Sequence, residues 1–374
     1  MTDTRPLASA QATDGIATAH EGADGFVGAS PVRREEREAV LDDALAPGAT
    51  RPHGAGHRAR AEEPDPYRTC FERDLDRVKH SRPWRRLAGK CQVFVAPEDD
   101  HLRTRMTHAI EVAQIAVGIA RPIGLNVQLT EAIALAHDCG HGPGGHASEE
   151  AFSPYLPDGG YDHAVYGADV TLAPLNLCRE TLDGVRNHSW RRPAPSTPEG
   201  EVVAWADRIA YVCHDFEDAV RAGILGPGDL PAAVADVVGR RRSEQLNAFV
   251  LGVLDAVSAS AHVRMTAPPA AALQAFRDFN FQAIYLRPAA RRQADRVIAL
   301  LRGLVEHFAD APQRVPELSG ASVARSGPGE APTAGSQAAT ERAVHYVSGM
   351  TDRYALGLGV ELLGWRPEDL PRGV

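Results

Sequence analysis

The chain has 374 residues, 44% of them hydrophobic, enough for one large domain or two ordinary ones around a substantial core. It contains no run of about 18 apolar residues, which argues against a membrane span. The start MTDTRPLASAQATDG lacks the basic-then-apolar order of a secretory signal, so a cytoplasmic location is expected. A formal charge of -9 disfavours indiscriminate binding to phosphate backbones, and leaves the arginine clusters at 191–192, 240–242 and 291–292 as solvated local features. Cys70, Cys91, Cys139, Cys178 and Cys213 are widely spaced, with no CxxC pair, and indicate neither a disulfide framework nor a thiolate zinc site.

Residues 1–60 are rich in Ala, Gly, Arg and acidic side chains without sustained periodicity, so a disordered tail is expected, with a short helix near 33–45. A core follows over 61–310. From Tyr67, charged helix formers lead into WRRLAGKCQVF and then a loop at APEDDHL. Met106, Ile110, Ala113, Val117 and Ala120 stand at helical spacing over 104–121, closed by Pro122 and Gly124. Asn126 caps a second helix that runs through Leu129, Ile133 and Ala136 to His137. Thr197 and Pro198 open a third, EGEVVAWADRIAYVCHDFEDAVRAG. Helical pattern covers 229–307, interrupted near Pro268 and Pro288. Residues 311–339 read as a flexible loop rich in Gly, Ser, Pro and Ala, and 340–374 as a C-terminal helical segment completing the same domain. The fold class implied is all-α.

A site for a hard or borderline divalent ion needs nitrogen and oxygen ligands converging from rigid elements. His108, the adjacent pair His137 and Asp138, and Asp207 meet that need, each within or at the end of a different predicted helix. One His or Asp on a helix is ordinarily a surface group or a cap. An HD pair beside a glycine turn is poor material for a core, and shifts the reading toward ligands. In HDCGHGPGGHASEE the glycines let the backbone approach a substrate and free amide donors for anionic oxygens. His146 and Glu149, at i and i+3, share one face of a new helix whose N-terminus suits phosphate. Asp207, Tyr211 and Asp215 form a stripe at i, i+4 and i+8 with Arg208 beside it, read as a pocket wall. Arg105, one turn before His108, suits bidentate binding of phosphate oxygens.

Together the segments YRTCFERDLDRVKHSRPWRRLAGKCQVF, HLRTRMTHAIEVAQIA, EAIALAHDCGHGPGGHASEEAF, VVAWADRIAYVCHDFEDAV and YVSGMTDRYAL resemble the HD-domain superfamily, and within it the dGTPase-like deoxynucleoside triphosphate triphosphohydrolases. The resemblance runs from Tyr67 to about Leu356 and implies an HD-domain helical bundle with additional C-terminal helices. It implies that His108, His137, Asp138 and Asp207 bind a catalytic ion, for which Mn²⁺, Mg²⁺, Fe²⁺ and Co²⁺ all suit the donor set. It implies catalytic roles for His146 and its acidic partner Glu149. His141 and His163 fall near the α-phosphate, Arg105, Arg208 and Tyr211 near the triphosphate, and Asp215 near the sugar. Lys90 and Arg86 fall at the nucleotide end. The implied reaction splits a dNTP into deoxynucleoside and tripolyphosphate, with packing at the sugar C2′, against Tyr211, excluding ribonucleotides. A homo-oligomer, and dNTP or single-stranded DNA as effector, are implied in the same way.

Several positions depart from the family pattern. The turn commonly reads GHPPFGH and here reads GHGPGGH, so the wall that Phe supplies is missing. Ala164 replaces a usual Asn, and His345 stands where Asp is common. Two other readings stay open: another HD phosphohydrolase such as a 5′-deoxynucleotidase, and a nucleotide-sensing or nucleic-acid-binding protein that keeps the fold without turnover.

Overall fold

The computed structural model describes residues 25, 27–95, 99–157, 160–316 and 332–372. Among them there is no strand, only two isolated bridges, Arg58 with Cys178 and Cys91 with Thr104. The chain is all-α, as its periodicity implied. In chain order the helices are α1 (Arg34–Ala44), α2 (Cys70–His80), α3 (Arg82–Arg86), α4 (Arg105–Ala120), α5 (Val127–Ala136), α6 (His146–Phe152), α7 (His163–Tyr166), α8 (Arg179–Asn187), α9 (Pro198–Arg221), α10 (Ala232–Val238), α11 (Arg242–Ser260), α12 (Ala267–Asn280), α13 (Pro288–Asp310), α14 (Gln337–Ser348) and α15 (Asp352–Leu363). Among the described residues no helix is long and apolar enough to cross a membrane.

Local chemistry sets the starts of the central helices. Thr104 Oγ1 accepts the Thr107 amide at 3.3 Å, Asn126 Oδ1 that of Leu129 at 3.1 Å, and Thr197 Oγ1 that of Gly200 at 3.2 Å. Pro198 begins α9, where its missing N–H costs nothing. Pro268 and Pro288 likewise open helices rather than break them. The break between α10 and α11 lies at Gly239, at φ 84°, which the apolar pattern did not mark.

Two apolar clusters hold the fold. In the larger, α4 packs on both α5 and α9, burying Ile119, Leu129, Ile133, Val203 and Ile209 at 0% exposure, each contributing roughly 1.5–3 kcal/mol. In the second, α13 packs against α6 and α14 through Phe152, Leu300, Leu301, Leu304, Val344 and Val347. Polar links tie the C-terminal segment to the rest: Asp352 accepts the amides of Cys91 and Gly144, each at 2.9 Å, one on either carboxylate oxygen. The C-terminal segment, described as far as residue 372, therefore packs into the body and begins at Gln337 rather than Thr340. Of the expected loop at 311–339, residues 317–331 lie outside the described residues, while Pro312 and Val315 are buried.

The expected tail of 1–60 needs correction from Arg33 onward; residues 1–24 lie outside the described residues. After α1, the chain to residue 66 runs over the body without regular structure and is fastened by polar contacts, which hydrophobic periodicity cannot register. Glu199, at 0% exposure, accepts the amides of Thr50 and Asn126 at 3.0 Å each, and the Thr50 hydroxyl at 2.7 Å. Arg58 donates to Asp74 at 2.6 Å and to the carbonyls of Cys70 and Asn176 at 2.9 and 2.6 Å. The other Asp74 oxygen accepts the Cys178 amide and the Thr181 hydroxyl, both at 2.7 Å. Removing one partner of a buried pair leaves an uncompensated charge. Arg58→Ala is expected to lower unfolding free energy by about 3–5 kcal/mol in urea denaturation; a change under about 0.5 kcal/mol, as for an exposed tail, would contradict this packing.

Candidate functional site

The four ligand-type residues of the sequence pattern come together where α4, the end of α5 and α9 meet. His108 Nε2 lies 3.1 Å from Asp207 Oδ1, and His137 Nε2 lies 3.6 Å from the same oxygen and 3.5 Å from Asp138 Oδ1. His137 donates its Nδ1 proton to the Ala134 carbonyl at 2.6 Å, which leaves Nε2 as the atom that faces the carboxylates. That Nε2 is buried, has no hydrogen-bond partner and stands between two carboxylates. Such an atom in such a donor set is what a divalent cation requires. The donor atoms form overlapping triads, His108 with His137 and Asp138, and His137 with His188 and Asp207, each within 4.8 Å. His137 joins the two.

Asp138 carries the electrostatics. Its Oδ2 accepts from Arg105 at 2.6 Å, and its Oδ1 lies 3.2 Å from His141 Nε2. Burial opposes its ionisation, but the Arg105 guanidinium, helped by the hydrogen bond from His141, holds it well below the ordinary carboxylate range. Burial, reinforced by Arg105 and His163, drops His141 far below the ordinary 6.5, so its ring is neutral. For His108, burial pulls the other way from Asp207, and the hydrogen bond and charge of Asp207 win, raising it.

Across the turn, His146 and Glu149 share a face of α6 as the spacing requires. His146 is 75% exposed, with Nδ1 3.6 Å from Glu149 Oε2. Glu149 divides its attention: its other oxygen accepts the Nδ1 proton of His163. His163 in turn stacks on His141, ring centroids 3.7 Å apart. Two of the turn's amides are not free for an anion. Gly142 donates to the Ser148 hydroxyl and Gly144 to Asp352. Its glycines instead admit other parts of the protein: a Cβ on Gly140 would sit 2.0 Å from the His163 carbonyl oxygen, and one on Gly145, at φ +65°, 2.9 Å from an Arg105 nitrogen.

His108, Asp138, Asp207, His141, His146, Glu149 and His163 line one cavity of about 730 Å³, while His137 is fully buried behind that wall. Arg105, Arg208, Tyr211 and Asp215 reach it as the sequence placed them. Arg105 keeps Nε and one terminal nitrogen without partners, and Arg208 lies over the Trp190 ring at 3.6 Å. Asp215 is buried, accepts the Tyr285 hydroxyl, and is pushed up by burial to about 7.

Two family models match this chain: the HD domain over 105–212 and the phosphohydrolase-associated domain over 263–359. A deoxyguanosinetriphosphate triphosphohydrolase-like protein of Caldanaerobacter subterraneus is 38% identical, over 86% of this chain and 93% of its own. Proteins of the same name from Clostridium perfringens and Paracoccus denitrificans are 36% and 33% identical, over 79% and 85% of this chain and 87% and 100% of theirs. The chain belongs to the deoxyguanosinetriphosphate triphosphohydrolase-like family.

Within that family's pattern, two expected residues are elsewhere. Lys90 does not line the cavity: its ammonium is buried behind the turn, donating to the carbonyls of His141 and, at 2.9 Å, Ser348, and burial lowers it to about 7. Arg86 lines a separate cavity with His345, Tyr346 and Arg353. Of the departures, His345 meets the Tyr166 hydroxyl at 3.1 Å, and Ala164 is fully buried. Gln92, His188, Trp190, Arg277, Tyr285 and Arg287 also line the site, and no motif or spacing had singled them out.

Asp215 supplies a test of this environment. Its folded value, about 7, exceeds the ordinary 3.8, so the folded state binds the proton more tightly. Stability contributed by that proton is present at low pH and is lost as pH rises toward 7. Asp215→Asn is expected to flatten the decline in denaturation midpoint between pH 5 and 7; an unchanged slope would contradict the assignment.

Proposed function

We propose that this chain hydrolyses a deoxynucleoside triphosphate to deoxynucleoside and tripolyphosphate, and so controls dNTP pools. The observation that carries the reading is the meeting, at one cavity, of His108, Asp138 and Asp207 with His137 close behind both carboxylates, partnerless Arg105 nitrogens and an exposed imidazole, His146. The relatives named for deoxyguanosine triphosphate hydrolysis support the substrate class. A volume of about 730 Å³ lies within the 300–1,000 Å³ usual for small-molecule sites.

His108, His137, Asp138 and Asp207 hold the divalent ion, one of Mn²⁺, Mg²⁺, Fe²⁺ or Co²⁺, which when bound polarises the phosphate and the attacking water. Arg105, Arg208 and the neighbouring Arg277 and Arg287 offset the negative charge of the triphosphate. Neutral His141, with His163, borders the reacting phosphate. Water forms the new bond to the α-phosphorus as the bond to the 5′ oxygen breaks; protonated His146, steadied by Glu149, gives that oxygen its proton, and the proton lost by the attacking water returns to the imidazole through solvent. Tyr211 packs at C2′ and leaves no room for a ribose hydroxyl, while Asp215 and Tyr285 border the sugar. A homo-oligomer and a dNTP or single-stranded DNA effector rest on family resemblance, and a cytoplasmic location on the signal-poor N-terminal sequence.

Each dNTP and rNTP is incubated with Mn²⁺- or Mg²⁺-restored protein, and products are separated by anion exchange with mass detection. Deoxynucleoside and tripolyphosphate in equal amounts are expected, abolished in Asp207→Ala. In His146→Ala the rate should fall about 10²–10⁴-fold with metal content unchanged. Orthophosphate released from deoxynucleoside monophosphates would instead indicate a 5′-deoxynucleotidase, and nucleotide binding without turnover in any metal would indicate a sensor.

A further inference from the structure

Arg208 stands one residue beyond Asp207 on α9 and lines the same cavity. The Asp207 carboxylate is engaged elsewhere, with His108 and His137. The Nε of Arg208 is buried without a hydrogen-bond partner, and burial works against its charge. What lies against the guanidinium is an aromatic face: its Cζ stands 3.6 Å from the ring centroid of Trp190.

Trp190 lies two residues past His188, the C-cap of α8, and keeps 45% of its surface exposed, so it is not a core side chain. Its indole is nevertheless fixed. The Nε1 proton is donated to the Ala204 carbonyl at 3.0 Å, and Trp205 meets the ring edge-on with centroids 4.7 Å apart. Ala204 precedes Arg208 by four residues on α9, so ring and guanidinium are fastened to consecutive turns of one helix.

A stacked guanidinium differs chemically from a paired one. A carboxylate takes N–H groups from the edge, as Asp138 does with Arg105. An indole attracts the cation through its face and leaves the N–H donors in the guanidinium plane uncommitted. Trp190 can therefore fix the direction of Arg208 without competing with a phosphate oxygen for its donors.

We propose that Trp190 is the positioning residue for Arg208, its indole face holding the guanidinium at the cavity wall with the N–H edge free for the phosphate chain of the substrate. The inference rests on reading this cavity as a triphosphate site.

The test measures binding of inorganic tripolyphosphate, with Mg²⁺ in excess, by calorimetry on the full chain in four forms: parent, Trp190→Leu, Arg208→Gln and the two together. Trp190→Leu is expected to weaken binding about 3–30-fold, and by less than about 2-fold where Arg208 is already replaced. Trp190→Tyr, which keeps an aromatic face, should recover most of the loss. In turnover of a hydrolysed dNTP, Trp190→Leu should raise KM by more than it lowers kcat. Should Trp190→Leu fail to fold by circular dichroism, Trp190→Met, flexible and without a ring, is read in its place. An unchanged affinity, an equal loss with and without Arg208, no recovery in Trp190→Tyr, or a fall confined to kcat overturns the proposal. A parent that binds no tripolyphosphate overturns the triphosphate reading along with it, whereas a parent that binds it whatever stands at position 190 overturns this inference alone.

Discussion

A carboxylate buried to 3% exposure has to be neutralised on every side, and the Asp138 side chain imposes that demand on everything around it. Its answer on one oxygen is Arg105, itself only 1% exposed. An arginine that deep leaves no room for a side chain above it, so the turn passes over it at Gly145, in a left-handed conformation. That glycine is the residue before α6, and hence sets where His146 and Glu149 stand. On the other oxygen, Asp138 gathers His137 and His141. One ionised group thus orders the set of His108, His137 and Asp207, the Arg105 guanidinium and the His146–Glu149 pair relative to each other.

The site lies at the seam between the two apolar clusters. His108, His137 and Asp207 belong to the α4, α5 and α9 side, whereas His146 and Glu149 ride on α6, which is packed against α13. Relative motion of the two sides would separate the ligand set from His146. Lys90, spanning the carbonyls of His141 and Ser348, and Asp352, spanning Cys91 and Gly144, cross the seam and oppose it. The GMTDRY segment therefore acts on the site through backbone contacts. This makes sense of Lys90, whose buried ammonium serves the turn rather than the nucleotide.

The sequence made legible those parts whose physics is periodic or local. The caps Thr104, Asn126 and Thr197 and the apolar stripes behind them locate the three central helices, and the placement of His108 and Asp207 within two of them and of His137 and Asp138 at the end of the third follows. What it could not show depends on long-range polar pairing. Arg58 finds Asp74 and Glu199 finds Thr50, contacts with no periodic trace, so an ordered segment read as a tail. His188 is 25 residues from its neighbour His163, at the end of a helix whose exposed positions are mostly charged; nothing in the local string separates it from a surface histidine. The glycines of HDCGHGPGGH were read for the right freedom but the wrong neighbour, because a backbone that approaches a ligand and one that approaches its own protein need the same residue.

Crystals grown with Mn²⁺ and a non-hydrolysable deoxynucleoside triphosphate analogue, measured at the manganese absorption edge, would decide whether this cluster is a cation-dependent phosphate site. An anomalous peak bonded by His108, His137, Asp138 and Asp207, with the triphosphate against Arg105 and its 5′ oxygen within hydrogen-bond reach of His146, is the result predicted. Manganese bound by other residues, or an analogue seated away from His146 in a fully occupied site, would contradict it.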